Sequence, residues 1–242
     1  AKLFMRQLIR GLGYMHCEGV VHRDVKLENI LLSNLGTVKI CDFGVSVVLD
    51  PEKAKDQIDD CSGTPAYMAP EVIAVGEIKK KVSEAAKQGK KRNEINAIKK
   101  DLQPYGPECD IWSAGVVLYA LIYGQLPFRG LTVREIKEKI LRGFYNLKES
   151  ASEDVKDLIK RMLEPDREAR ITVEEILSHP WLAGVPKQEE VQVFDESERA
   201  IIIKEFFVSE DWDKWQKFVH INSAVFEEYF RFTDINLYTD YD

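Results

Sequence analysis

Apolar residues recur at helical spacing near the start of the chain. Leu3, Phe4, Leu8, Ile9, Leu12 and Met15 share one face, which predicts a helix over 2–17 that Gly19 breaks. Ile30-Leu31-Leu32 and Val38-Lys39-Ile40 are short β-type runs, and Ser33-Asn34-Leu35-Gly36 between them predicts a hairpin. From Asp110 to Tyr123 nearly every position is apolar, as in a helix buried on almost all sides. Further helical patterns cover 132–142, 152–163 and 172–178, separated by Leu126-Pro127-Phe128, Gly143 and Glu164-Pro165-Asp166. The pattern predicts a mainly α fold with one small β-hairpin.

Composition narrows the class. With 242 residues, 45% apolar and 31% charged, the chain can bury a substantial core and reads as globular. Its four cysteines, Cys17, Cys41, Cys61 and Cys109, form no C-x-x-C pair and have no His at metal spacing, so they read as reduced thiols. No apolar run approaches the roughly 18 residues of a membrane span, and no signal peptide opens the chain. A cytoplasmic location is therefore expected, and a first residue of Ala1 fits a fragment of a longer protein.

The net charge of −7 is unevenly spread. Residues 77–103 hold nine Lys and Arg against four Asp and Glu, whereas 183–242 hold six against fourteen. Such a split marks appended segments with their own partners or solvent roles.

Three motifs carry candidate chemistry. His22-Arg23-Asp24-Val25-Lys26-Leu27-Glu28-Asn29 is followed by Asp42-Phe43-Gly44 and then by Ala69-Pro70-Glu71. Either of the first two alone is a weak signal, but the ordered set, with Asp110-Ile111-Trp112-Ser113-Ala114-Gly115 beyond it, is specific. Over about residues 1–182, ending near His179-Pro180-Trp181, the chain resembles the C-terminal lobe of eukaryotic protein kinases. Residues 183–242 then form an acidic, aromatic-rich extension.

The resemblance implies a Ser/Thr kinase using ATP and Mg2+. Asp24 would accept the proton of a protein hydroxyl, and Lys26 would stabilise the transferred phosphoryl group. Asn29 and Asp42 would ligate Mg2+ through hard oxygens. Leu31 would lie beneath the adenine, and Glu28, in the same cofactor-binding run, is placed to receive a basic substrate residue. Ala120 stands where basophilic relatives often carry a second glutamate, which argues against strong arginine dependence. Lys26 and Gly63-Thr64-Pro65 favour Ser/Thr over tyrosine substrates. Arg170 would form a buried pair with Glu71, Asp110 would brace the catalytic loop, and His22 and Phe43 would pack in an apolar spine.

Phrases such as Lys26-Leu27-Glu28-Asn29-Ile30-Leu31-Leu32 and Ile171-Thr172-Val173-Glu174-Glu175-Ile176-Leu177 resemble the calcium/calmodulin-dependent kinase group. The glycine-rich loop and strand lysine of the N-terminal lobe are absent. The chain therefore reads either as part of an intact kinase or, alternatively, as a non-catalytic docking or structural module of a larger assembly. The undamaged motifs argue against a decayed enzyme.

Three segments lie outside this core reading. Asp60, beside Asp59, occupies the activation-segment position often phosphorylated in related kinases; it either pairs with Arg23 or is simply solvated. The basic insert 77–103 has Ile78, Val82, Ile95, Ile98 and Leu102 at roughly helical intervals. It reads as a docking surface for acidic protein partners or as a solvated helical hairpin; without interleaved aromatics, nucleic acid is a weak option. The tail holds 12 of 24 aromatic residues, too many for an ordinary disordered segment, and is expected to pack on the lobe or a partner through Ile201–Phe207 and Phe226–Phe230. Gln216 and Asn222 stand where an EF-hand needs glycine and glutamate, and the tail is too acidic for a calmodulin-binding helix.

Overall fold

A computed structural model describes residues 1–32, 37–50, 52–53 and 57–185. The elements are α1 (Lys2–Cys17), β1 (Val20–Val21), β2 (Ile30–Leu32), β3 (Val38–Ile40), β4 (Val47–Val48), α2 (Pro70–Lys87), α3 (Arg92–Lys99), α4 (Glu108–Tyr123), α5 (Val133–Leu141), α6 (Glu153–Met162) and α7 (Val173–Ser178). Short 3-10 turns cover Leu27–Asn29, Pro65–Tyr67 and Pro180–Leu182. The mainly α expectation holds.

Helix α4 is the hub. Cys109 through Tyr119 are all buried, so packing replaces amphipathicity as the reason for the helix. A Cβ at Gly115 would come within 2.9 Å of the Met162 Cβ, so glycine lets α4 and α6 approach. The helix ends where Gly124 takes φ 66 and its N–H caps the Ala120 carbonyl. Helix α1 buries Met5, Leu8, Ile9 and Leu12, spaced as an apolar stripe. Helix α7 starts at a capping box between Thr172 and Glu175.

The hairpin is present: β2 and β3 pair antiparallel in the register Ile30–Ile40, Leu31–Lys39, Leu32–Val38. Its predicted turn, 33–36, lies outside the described residues. A second antiparallel pair joins β1 to β4 through Val20–Val48 and Val21–Val47. The expectation of one hairpin missed it, because two-residue strands are too short to show alternation.

The basic insert has no boundary at residue 77. Helix α2 runs unbroken from Pro70, at the end of the Ala69-Pro70-Glu71 motif, to Lys87, and α3 folds back against it. Ala85 is buried, while Ile78, Val82, Ile95, Ile98 and Leu102 are half-buried. The helical-hairpin reading therefore describes the outer part of an element rooted in the core. No described helix is long and apolar enough to cross a membrane. The two apolar clusters expected to anchor the tail lie outside the described residues.

Candidate active site

Strand β1 leads into His22-Arg23-Asp24, which α4 holds in a defined conformation. Arg23 has φ 68, left-handed and costly for a residue with a Cβ. The Asp110 carboxylate, in the first turn of α4 and fully buried, accepts the backbone N–H groups of His22 at 2.9 Å and Arg23 at 2.8 Å. His16 of α1 lies 2.9 Å from the same carboxylate. Burial works to raise the Asp110 pKa, but His16 and His22 outweigh it and leave the carboxyl below its ordinary range.

His22 is buried, and both ring nitrogens are engaged. Nδ1 accepts the Asp24 N–H at 3.2 Å, so Nε2 donates to the Cys41 carbonyl at 3.0 Å. Its ring centroid lies 5.1 Å from that of Phe43. These contacts pack His22 into the fold.

Asp24 sits at the centre of a closed network. Its Oδ1 accepts the Thr64 N–H and the Thr64 hydroxyl, each at 2.8 Å. Its Oδ2 lies 2.8 Å from Lys26 Nζ and 3.2 Å from Asn29 Nδ2. Lys26 also donates to Thr64 Oγ1 at 3.0 Å. Partial burial disfavours the Asp24 charge, yet Lys26 and Thr64 prevail and lower its pKa. Burial likewise opposes the Lys26 charge, but Asp24, Glu28 and Asp42 raise its pKa. Gly63, with φ 111, permits this closure: a Cβ there would lie 2.4 Å from the Arg23 carbonyl oxygen.

The two expected metal ligands are brought to neighbouring backbone. Asn29 donates its amide to the Asp24 carbonyl at 2.9 Å, leaving its side-chain oxygen as a donor atom, and its own carbonyl accepts the Cys41 N–H at 2.9 Å. Asp42 follows at φ 62, exposed, with the Gly44 N–H 3.3 Å from its Oδ1. Among the described residues no group of three His, Cys, Asp or Glu forms a cation cage. Two oxygen donors fit Mg2+ shared with phosphate and water, the usual habit of this ion. Leu31 is half-buried in β2, opposite Lys39.

The activation segment is tied from several sides. Asp60 pairs with Arg23, which also donates from Nε to the Val45 carbonyl at 2.5 Å. The Ser62 hydroxyl donates to Asp60 Oδ2 at 3.1 Å. Further along, Arg170 makes a bidentate pair with Glu71 at 2.6 and 2.9 Å. Arg170 also donates to the Glu164 and Glu108 carbonyls, each at 3.0 Å, and lies 5.2 Å from the Trp112 ring centroid.

The protein kinase domain family model matches residues 1–87 and 93–182. This chain belongs to the protein kinase domain family. It is 40% identical over 181 residues to SNF1-related protein kinase catalytic subunit alpha KIN12 of Arabidopsis thaliana, covering 75% of this chain and 31% of that protein. Calcium-dependent protein kinase 3 of Oryza sativa is 37% identical over 197 residues, covering 78% and 30%. Probable serine/threonine-protein kinase MARK-A of Dictyostelium discoideum is 37% identical over 184 residues, covering 76% and 15%. The chain thus spans about a third or less of these relatives' length.

Three residues of this kinase domain escaped the sequence reading. His16 meets Asp110, Lys79 of α2 pairs with Asp59 at 3.1 Å, and Tyr105 donates to the Asp60 carbonyl at 3.0 Å. A positional signal existed only for Tyr105, an aromatic residue just ahead of the Asp110 helix.

Proposed function

We propose that the chain is the C-terminal lobe of a Ser/Thr protein kinase, transferring the ATP γ-phosphate to protein hydroxyls when joined to an N-terminal lobe. The observation that carries this reading is the Asp24 carboxylate held between Lys26 and Thr64, with Asn29 and Asp42 beside it. Relatives named serine/threonine-protein kinases support the substrate class.

Asp24, with its lowered pKa, is a weak base. Its task is to orient the substrate hydroxyl and take its proton as the phosphoryl bond forms. Lys26 places a positive charge where the transferred group carries negative charge. Asn29 and Asp42 would hold Mg2+, which supplies neutralisation of phosphate charge. The Asp60–Arg23 pair orders the activation segment without added phosphate, so dephosphorylation should leave the kinase active. We place the protein in the cytoplasm, with protein substrates and a protein partner for the basic hairpin.

The test uses a protein carrying both lobes, labelled ATP and a protein substrate. Label is expected on serine or threonine, with magnesium-dependent nucleotide binding weakened in Asp42→Ala. The 242-residue chain alone should transfer negligible label. Label on tyrosine, or substantial transfer by the chain alone, would contradict the reading. Phosphatase treatment that silences the enzyme while Asp60→Asn changes nothing would remove the phosphate-free ordering.

A further inference from the structure

The activation segment is held by more than the catalytic loop. Tyr105, in the segment that leads out of the α2–α3 hairpin, exchanges two backbone hydrogen bonds with Ile58, at 2.9 and 3.1 Å. Its hydroxyl then reaches past that bridge and donates to the Asp60 carbonyl at 3.0 Å. Tyr105 is fully buried, and burial pushes the phenol far above its ordinary range, so it stays a neutral donor. Arg23, pulling the other way, is among the charges that act on it. The root of the hairpin adds contacts on the same side: Lys79 meets Asp59, and a Cβ at Gly76 would lie 2.7 Å from Cys61 Sγ. Asp60 is thereby fixed at both ends, its carbonyl by Tyr105 and its carboxylate by Arg23 and Ser62.

We propose that Tyr105 is a positioning residue: by fixing the backbone at Asp60 it holds that carboxylate on Arg23, and through the same segment keeps Thr64 on Asp24. Its catalytic consequence rests on the phosphoryl-transfer reading; its structural consequence does not. Tyr105→Phe keeps the ring and the backbone bridge and removes one hydrogen bond. Tyr119→Phe is the matched control, since that hydroxyl donates to the Asn146 carbonyl at 2.6 Å, in another part of the fold.

Hydrogen exchange of the full-length protein, without nucleotide, reads the structural part. In Tyr105→Phe, amides of 57–64 should exchange about three- to ten-fold faster, as loss of one net hydrogen bond implies. Amides of 111–119 should be unchanged, and Tyr119→Phe should leave 57–64 unchanged. Combined with Asp60→Asn, the effect should be smaller than the sum, because both act through one contact. In kinase assays Tyr105→Phe should lower kcat and leave the KM for ATP in place. Unaltered exchange at 57–64, or a rise shared equally by 111–119, overturns the proposal. Selective opening with undiminished kcat overturns the positioning role. Exchange is read without ATP, so an inert enzyme would count against the kinase reading and leave the opening result standing.

Discussion

Asp110 and Lys79 both carry charge on long helices, yet their settings differ in kind. Asp110 is fully buried and meets His16, His22 and Arg23, drawn from two distant segments. Lys79 is 43% exposed and pairs with Asp59, itself 62% exposed. Around Asp110 the His22 and Arg23 contacts fix the backbone ahead of Asp24, at a site where an unmatched charge would be costly. Around Lys79, water competes for the ion pair, and such contacts are worth little individually. The α2–α3 hairpin has the periodicity of structure without a core of its own, whereas the catalytic framework has both. Legible motifs therefore coincide with buried polar networks, and the charge-rich insert coincides with solvent.

The largest effect should come from the buried network. Arg170→Leu strands the Glu71 carboxylate and should destabilise the fold by about 3–5 kcal/mol in chemical denaturation. A cost below about 1 kcal/mol would show that water already solvates the pair.

The α2–α3 hairpin offers a sharper contrast. Ile73 is fully buried, and Ile73→Ala should cost about 2–5 kcal/mol. Ile98 on α3 is half-buried, and Ile98→Ala should cost less than about 1 kcal/mol, since less apolar area returns to water. Equal losses would place the hairpin in the core and collapse the comparison.

Acid titration separates the regions again. Asp110 has a lowered folded-state pKa, so the stability it contributes is present above the unfolded carboxylate value, about 3.9. It is lost as pH falls through the lower folded value. Stability of Asp110→Asn should be reduced near neutral pH and fall less steeply below about pH 4. A parallel acid limb in both proteins would mean that other carboxylates carry it. The smallest effect belongs to Lys79→Ala, expected within about 0.5 kcal/mol of the wild type and weaker still at high salt.

Much of the site was readable because chemistry restricts the residue types. Asp24, Lys26, Asn29 and Asp42 are named by motif, and the fold brings them together. Arg170 and Glu71, 99 positions apart, were paired only through the family resemblance. No motif paired His16, Lys79 or Tyr105 with its contacts, although Tyr105 stands just ahead of the Asp110 helix. Their partners lie 94, 20 and 45 positions away, and no local period encodes a meeting at that distance. The same limit hid β1 and β4, and it hid that α2 runs into the basic stretch from Pro70, seven residues before residue 77.

In the proposed mechanism Asp24 is the group on which phosphoryl transfer turns. The direct measurement is single-turnover transfer from γ-labelled ATP to a Ser/Thr protein substrate, by wild type and Asp24→Asn in a protein carrying both lobes. Asparagine preserves the shape and its oxygen can still accept from Thr64, but it cannot take the proton and its amide would face Lys26, so transfer should fall about 10²–10⁴-fold with nucleotide affinity little changed. Transfer by Asp24→Asn at the wild-type rate would contradict it.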